Sequence, residues 1–200
     1  MIIGKQDHLA VRPHEKMIDV LKNPDASGPK EHYYMIRGGT DMRNITVWEP
    51  GLVGDEYIKT YGHYHIGQLD ETYWLLFGKG VLLQQKLVER DGKLQPDEVE
   101  EFRAVQMESG QSAYMPPGYG HLVANVGSTY MVTADDSPVD FGDRDPVSMP
   151  GHADYEMVKQ MRGFAYYVVE RNGAPALIKN PLYTKSIGKE DFGGLPVVTE

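Results

Sequence analysis

The chain has 200 residues, of which 40% are hydrophobic and 24% are charged, a composition typical of a folded globular protein. Its formal net charge of −9 and the lack of a basic stripe argue against nucleic acid as a partner, since nucleic-acid binding depends on clustered Lys and Arg. The sequence has no cysteine, which excludes disulfides, thiolate metal sites and a cysteine nucleophile.

No apolar stretch approaches the length of a membrane span, and the N-terminal segment MIIGKQDHLAVRPHEK lacks a charged leader followed by a long apolar core. We therefore expect a soluble, cytoplasmic protein without a membrane partner. A chain of this length has room for one sizeable core, so a single domain is the expected organisation.

The first predicted element is a helix over HEKMIDVLKN, which would place Met17, Ile18 and Leu21 on one face before the loop at Pro24. Short runs of β-branched and aromatic residues follow, separated by Gly, Pro, Asn and Asp. They include NITVWE, TYWLLF, GVLLQQKLV and STYMVTA. Many short strands at this spacing predict an antiparallel β-sandwich or barrel.

Two further elements are predicted near the C-terminal end. HADYEMVKQMRG predicts a second helix, with Tyr155, Val158 and Met161 on one face and Gly163 as its C-cap. The Asn-Gly pair in ERNGAP predicts a tight hairpin between the runs FAYYVV and ALIK.

The segment TYGHYHIGQLDETYWLLFGKG, residues 60–80, carries the first candidate site. Side chains alternate along a strand, so His63 and His65 would face one way and Tyr64 the other. The Gly and Asp in IGQLD suit a hairpin loop, after which a neighbouring strand would begin at Glu71 with its carboxylate beside the imidazole pair. The same alternation puts Tyr73, together with Leu75 and Phe77, on the face of Glu71.

A third imidazole follows in GQSAYMPPGYGHLVAN, where His121, Val123 and Asn125 would share a strand face. Three imidazoles and one carboxylate form a mixed N and O donor set suited to Fe(II), Mn(II), Ni(II) or Zn(II). The sequence therefore predicts one divalent transition metal held by His63, His65, Glu71 and His121.

The two segments resemble the two sequence motifs of the cupin superfamily. The second matches at every position: Gly110, Pro116, Gly118, His121 and Asn125. The first matches at His63, His65, Glu71 and Gly78, but Tyr57 stands in place of its leading Gly and five residues separate His65 from Glu71. Three features resemble the archaeal-type glucose-6-phosphate isomerases of this superfamily. They are this five-residue gap, the segment GDEYIKTYGHYH and the segment GHADYEMVKQMRGFAYYVVERNG.

The resemblance implies an all-β cupin fold, a small antiparallel barrel or jelly roll with a few peripheral helices. We expect a single cupin domain over residues 1–200, with an N-terminal arm over 1–32, the barrel over 33–140 and a C-terminal helix and hairpin over 141–200. A homodimer is also implied, with strands outside the barrel supplied by the arm and the FAYYVV hairpin, whose apolar residues would need cover.

The implied activity is interconversion of glucose 6-phosphate and fructose 6-phosphate, with Fe(II) as the first candidate among the metals. Glu71 and Tyr73 are the candidate catalytic residues, Glu71 either as a proton shuttle or only as a ligand. No phosphate-binding loop or strong basic cluster is present, so hydroxyls, backbone N–H groups and an imidazole would hold the sugar phosphate. The implied substrate-binding residues are Tyr33, Thr46, Thr60, Gly62, Tyr73, His152 and Tyr155.

One feature of this set conflicts with a regular strand. The pleat would put Thr60 and Gly62 on the face opposite His63 and His65, so a role for both pairs at one site requires a β-bulge or a substrate that reaches around the strand. Two alternative functions share the same ligand set: an Fe(II)-dependent cupin dioxygenase, and a non-catalytic cupin that binds sugar phosphates.

Overall fold

We describe the protein from a computed structural model, in which residues 8–38, 44–138 and 153–199 are described. His152 and parts of the predicted arm and C-terminal extension lie outside these ranges. In the described parts the chain is built mainly of strands, which confirms the all-β class.

The strands are numbered in chain order. The first six are β1 His8–Pro13, β2 Glu31–Arg37, β3 Asn44–Trp48, β4 Leu52–Val53, β5 Glu56–Tyr57 and β6 Tyr64–His65. The next six are β7 Glu71–Phe77, β8 Lys79–Arg90, β9 Lys93–Glu108, β10 Ser112–Met115, β11 Tyr119–Asn125 and β12 Met131–Asp135. The last five are β13 Ala153–Asp154, β14 Tyr166–Arg171, β15 Ala174–Lys179, β16 Lys189–Asp191 and β17 Val197–Val198.

Two sheets position the candidate site. One has six strands in the order β1-β2-β3-β12-β7-β10, and the other has four in the order β11-β8-β9-β16. The chain passes from the first sheet to the second at Gly78, between β7 and β8. A five-stranded sheet, β17-β15-β14-β5-β4, and the pair β13-β6 complete the described strands.

The hairpin predicted at the Asn-Gly pair is confirmed. β14 and β15 pair antiparallel with Arg171 opposite Ala174, and Asn172 and Gly173 both have positive φ, 55° and 82°. These are the angles that a two-residue type I′ turn requires.

The predicted helix over HEKMIDVLKN is wrong. Two 3₁₀ turns, His14–Lys16 and Ile18–Val20, take its place. Residues three apart lie above one another in a 3₁₀ turn, so Met17 and Val20 are fully buried whereas Ile18 is 39% exposed.

The second helix forms but is short, α1 Glu156–Gln160. Val158 and Met161 are buried as predicted. Its end differs from the prediction in one respect: Arg162 takes the left-handed conformation with φ 54°. The N–H of Gly163 then closes the helix by donating to the carbonyl of Val158 at 2.9 Å, the pattern of a Schellman cap.

The FAYYVV hairpin does not need cover from a second chain. Val168, Val169 and their neighbours in β14 are buried within the chain itself. The hydrophobic core draws on residues from Met17 in the first turns to Leu195 near the end of the chain. No helix among the described residues is long and apolar enough to cross a membrane.

Candidate metal centre and adjoining pocket

Backbone pairing brings the first two imidazoles of the site together. His63 and His121 lie opposite each other and exchange two backbone hydrogen bonds, of 3.2 and 3.0 Å. Directly opposed residues of an antiparallel pair project on the same face. Their rings accordingly lie 4.4 Å apart between centroids.

The third imidazole and the carboxylate complete the cluster. Nε2 of His65 lies 2.9 Å from Oε2 of Glu71, and Nε2 of His121 lies 3.2 Å from the same oxygen. The four candidate donor atoms of His63, His65, Glu71 and His121 all lie within 4.8 Å of one another. Tyr64 points away from the histidine cluster, as the predicted alternation requires. Its hydroxyl accepts a hydrogen bond from the side-chain amide of Gln85.

The strand that carries Glu71 differs from the prediction. β6 pairs with β13, not with β7, whereas β7 lies between β12 and β10 in the six-stranded sheet. The loop after His65 is therefore not the turn of a hairpin. It carries the chain to the opposite wall, and Glu71 meets the imidazoles from across the site.

The donor atoms fit a bound cation. Glu71 and His121 are both almost fully buried, and Nδ1 of His121 has no hydrogen-bond partner among the described residues. Buried polar atoms without partners are rare and costly. Ligands about 2.1 Å from one ion lie about 3.0 Å apart when adjacent and about 4.2 Å apart when opposite, so small shifts would close the cluster on one ion.

The local electrostatics suit the same role. Burial and the neighbouring His121 lower the pKa of His63 well below its usual value, which keeps its imidazole neutral and able to donate a lone pair. Burial acts to raise the pKa of Glu71, but His121 and His65 outweigh it and hold the pKa below its usual value. Burial, followed by the charge of Glu71, raises the pKa of Asp135 on the neighbouring strand β12.

A narrow pocket adjoins His63. Its wall contains most of the residues that the resemblance implies for substrate binding, and it adds two that the sequence reasoning missed, Arg37 and Tyr61. The lining residues are Tyr33, Arg37, Thr46, Thr60, Tyr61, Gly62, His63, Tyr73 and Tyr155. Its cavity volume is about 20 Å³, which is room for about one water molecule.

A β-bulge resolves the conflict over Thr60 and Gly62. Lys59 lies opposite Ala124 and His63 lies opposite His121, so the strand bearing His63 has one residue more than β11 over the same length. Gly62 takes φ 81° within this bulge, a conformation that few L-residues adopt. The bulge reverses the pleat and places Thr60, Gly62 and His63 on one wall.

The aromatic residues of the pocket contact the histidines directly. The ring of Tyr73 lies 5.5 Å from that of His121, and the ring of Tyr155 lies 5.7 Å from that of His63. Tyr155 also meets Tyr61 edge-on at 5.5 Å, and its buried hydroxyl has no hydrogen-bond partner among the described residues. Phe77, predicted on the face of Glu71, is 54% exposed at the end of β7, where the register with β12 shifts.

A family model described as "Glucose-6-phosphate isomerase (GPI)" matches residues 29–183. The chain belongs to this family. Among its relatives, the glucose-6-phosphate isomerase of Thermococcus litoralis is 35% identical over 138 residues, which make up 68% of this chain and 60% of that protein. The glucose-6-phosphate isomerase of Pyrococcus furiosus is 34% identical over 142 residues, 70% of this chain and 63% of that protein.

The match thus spans about 60% of the length of these curated members of the family. Among solved structures, a predicted oxalate decarboxylase from Thermotoga maritima aligns with a TM-score of 0.40 and 16% identity, over 68% of this chain and 96% of that chain. At that TM-score the likeness supports no conclusion about this chain.

Proposed function

We propose that the chain is a metal-dependent glucose-6-phosphate isomerase, which interconverts glucose 6-phosphate and fructose 6-phosphate. One observation carries this proposal: in a member of the isomerase family, a buried cluster of three imidazoles and one carboxylate adjoins a pocket lined by hydroxyls. We take residues 1–200 as a single cupin domain, and a cytoplasmic location stays a prediction.

The proposed metal ligands are His63, His65, Glu71 and His121. A divalent ion such as Fe(II), Mn(II), Ni(II) or Zn(II) would act as a Lewis acid that polarises the oxygens on C1 and C2 of the sugar. Fe(II) is our first candidate, although a mixed set of nitrogen and oxygen donors suits Mn(II), Ni(II) and Zn(II) as well.

Glu71 is the proposed proton shuttle. Its carboxylate would accept the hydrogen of C2 as a proton and return it to C1. A second proton would pass from the oxygen on C2 to the oxygen on C1. In the competing route the C2 hydrogen moves to C1 with its electron pair, and Glu71 serves only as a ligand. The first route admits solvent deuterium into the product at C1, and the second excludes it.

The hydroxyls of Tyr33, Thr46 and Thr60 are the proposed contacts of the sugar phosphate, with Tyr73, Tyr155 and the backbone of Gly62. Some of these groups already have local partners: Oγ1 of Thr60 accepts a bond from the N–H of Val123 at 3.0 Å, which leaves its own proton available to an anion. The pocket must widen to admit a hexose. Tyr155 is suited to move, because its hydroxyl forms no hydrogen bond with the described residues.

The test is a coupled assay of glucose 6-phosphate formation from fructose 6-phosphate, run in parallel with an oxygen electrode. We expect turnover without oxygen uptake. Oxygen consumption dependent on the loaded metal would instead indicate a cupin dioxygenase, and tight binding of fructose 6-phosphate without turnover would indicate a non-catalytic binding protein. Either result would overturn the proposal.

We further propose that the protein is a homodimer, through the outer face of its six-stranded sheet. The register places two rows across this face, one of Leu9, Ile36 and Ile45 and one of Val11, Tyr34 and Val47. Leu9 and Leu76 are about half exposed, at 54% and 51%. Large exposed apolar side chains on a sheet face are typical of an interaction site. Light scattering should give twice the mass of one chain, and a Leu76→Glu substitution should shift it toward the monomer.

A further inference from the structure

Tyr64 stands between two of the proposed metal ligands, His63 and His65, in a segment with little backbone pairing. Strand β6 has only two residues. Among the described residues, the bridge between His63 and His121 is the last pairing of this segment with β11. Beyond that bridge, His65 lies opposite Ala153 of the equally short β13. Backbone pairing therefore gives weak support to the position of His65.

The histidine rings also lack a support that metal ligands usually have. A histidine that binds a metal through one nitrogen generally donates a hydrogen bond from the other, and this bond fixes the ring. Nε2 of His65 faces the carboxylate of Glu71 at 2.9 Å, whereas its Nδ1 has no hydrogen-bond partner among the described residues. The same holds for Nδ1 of His121. The positions of these rings therefore depend on where the backbone places them.

The side chain of Tyr64 packs against β11 on the face opposite the histidine cluster. His63 lies opposite His121 in an antiparallel bridge, so the next residue, Tyr64, comes opposite Gly120. A Cβ added at Gly120 would lie only 2.6 Å from Cε1 and from Cζ of Tyr64, closer than side chains pack. The ring of Tyr64 thus lies directly on the backbone of β11, where only glycine leaves room for it.

The hydroxyl of Tyr64 is fixed by a buried amide. Gln85 lies opposite Gly120 on β8 and is fully buried. Its Nε2 donates to the hydroxyl of Tyr64 at 2.6 Å and to that of Tyr183 at 3.0 Å. Its Oε1 accepts a hydrogen bond from the N–H of Ala165 at 2.9 Å. Both hydrogens of the amide are used, so the hydroxyl of Tyr64 is tied to β8, which lies between β11 and β9.

We propose that Tyr64 is a positioning residue, whose contacts with Gly120 and Gln85 set the spacing of His63 and His65 and so the metal affinity of the site. The inference rests on the proposed function, which assigns these two histidines as ligands. A displaced Tyr64 moves the backbone on both sides of it, and each side carries one ligand. Loss of groups that support ligands from outside typically weakens metal binding by about 10- to 100-fold.

Tyr183 provides a matched control. Tyr64 and Tyr183 are both almost fully buried, at 4% and 2% exposure, and they accept the two hydrogens of the same Gln85 amide. The hydroxyl of Tyr183 also donates to the carbonyl of Gly163 at 3.1 Å. Replacing Tyr183 by leucine therefore disturbs the same network at least as much as replacing Tyr64, but Tyr183 is not adjacent to a ligand.

The experiment measures the dissociation constant of Co(II) and the visible absorption of the bound ion. The proteins are wild type, Tyr64→Leu, Tyr64→Phe and Tyr183→Leu, at a temperature where circular dichroism shows each to be folded. We expect Tyr64→Leu to weaken Co(II) binding by about 10- to 100-fold and to change the absorption spectrum. Tyr64→Phe keeps the ring on Gly120 and should recover part of the loss. Tyr183→Leu should bind Co(II) as wild type does, although its urea midpoint falls at least as far as that of Tyr64→Leu.

Two results would overturn the inference. One is unchanged Co(II) affinity in Tyr64→Leu, and the other is equal weakening in Tyr64→Leu and Tyr183→Leu, since the effect would then follow stability and not position.

If Tyr64→Leu does not fold, a pair of glycine variants tests the same inference. Gly120→Ala pushes the ring of Tyr64 from its place. Gly80→Ala is an equally crowded control on β8, where the added Cβ would lie 2.8 Å from Sδ of Met131. Only Gly120→Ala should weaken Co(II) binding, and equal effects of the two variants would overturn the inference.

Turnover of fructose 6-phosphate by wild type is measured separately. If wild type binds Co(II) with an affinity that depends on Tyr64 but shows no turnover with any of the proposed metals, the proposed function fails and this inference stands. If wild type is active and Tyr64→Leu binds Co(II) equally well, the inference fails and the proposed function stands. Failure of wild type to bind Co(II) would overturn both.

Discussion

Gly62 carries the bulge on which the pocket depends, and Gly62→Ala tests that dependence. Alanine would have to adopt φ 81°, which costs an L-residue about 1–2 kcal/mol. Its Cβ would also lie 3.2 Å from Cβ of Leu122 and 3.3 Å from Cε1 of Phe164. Such overpacking of a core costs about 1–3 kcal/mol, so we expect a total loss of about 2–5 kcal/mol in the free energy of unfolding.

Gly67→Ala separates the two costs. Gly67 has a nearly equal φ of 85°, and a Cβ at this position would meet no heavy atom within 4 Å. It should therefore lose only the backbone part, about 1–2 kcal/mol. The assay is unfolding by urea. The difference in stability between the two variants appears as a shift of the midpoint, while the dependence of the free energy of unfolding on urea concentration stays constant.

Activity provides a second reading of the same pair of variants. A displaced bulge moves Thr60 and His63 together, and misplacement by about 1 Å can cost 10²-fold in rate. We expect Gly62→Ala to lose at least about tenfold in isomerase rate at equal metal content, beyond any loss in Gly67→Ala. Equal losses of stability and rate in the two variants would refute the role given to the bulge.

Three further predictions concern the histidines and Glu71. A variant with His63→Ala and His121→Ala should lose the bound transition metal in elemental analysis, and undiminished occupancy would contradict the ligand assignment. Glu71→Gln, loaded with metal, should lose about 10²-fold in turnover, whereas full turnover without solvent deuterium in the product would favour the hydride route. Burial, His14 and Lys59 lower the pKa of His32 from 6.5 to about 4. Between these two pH values His32 is protonated in the unfolded chain but not in the folded chain. The free energy of unfolding therefore falls by about 3 kcal/mol as the pH is lowered from 6.5 to 4. His32→Gln should flatten that pH dependence in urea titrations, and an unchanged slope would contradict the explanation.

The sequence was most informative where spacing along the chain sets geometry directly. The alternation of His63 and His65, the spacing of the motif around His121 and the Asn-Gly hairpin all depend on neighbours within a few residues. The cluster of candidate ligands therefore follows from the sequence. The sequence did not predict that Glu71 lies on β7 of the six-stranded sheet, whereas His65 lies on β6 and His121 on β11 of other sheets.

The features that the sequence could not predict depend on contacts between distant segments. The bulge at Gly62 appears only when this strand is aligned with β11, and the exposure of Phe77 depends on a register shift against β12. The first predicted helix failed because burial of Met17 and Val20 is satisfied by 3₁₀ turns as well as by an α-helix. Arg37 has a usable signal, since alternation from Tyr33 places it on the inward face of β2, but a single arginine does not form a basic cluster in the sequence.

Titration of metal-stripped protein with a divalent metal tests the proposed function most directly. Fe(II) or Mn(II) is added in steps under anaerobic conditions, and the rate of glucose 6-phosphate formation from fructose 6-phosphate is measured at each step. We predict a negligible rate without metal, a rise in proportion to added metal, and a plateau at about one ion per chain. A rate that does not depend on added metal, or no turnover at full occupancy, would contradict the assignment of this site as a metal-dependent isomerase.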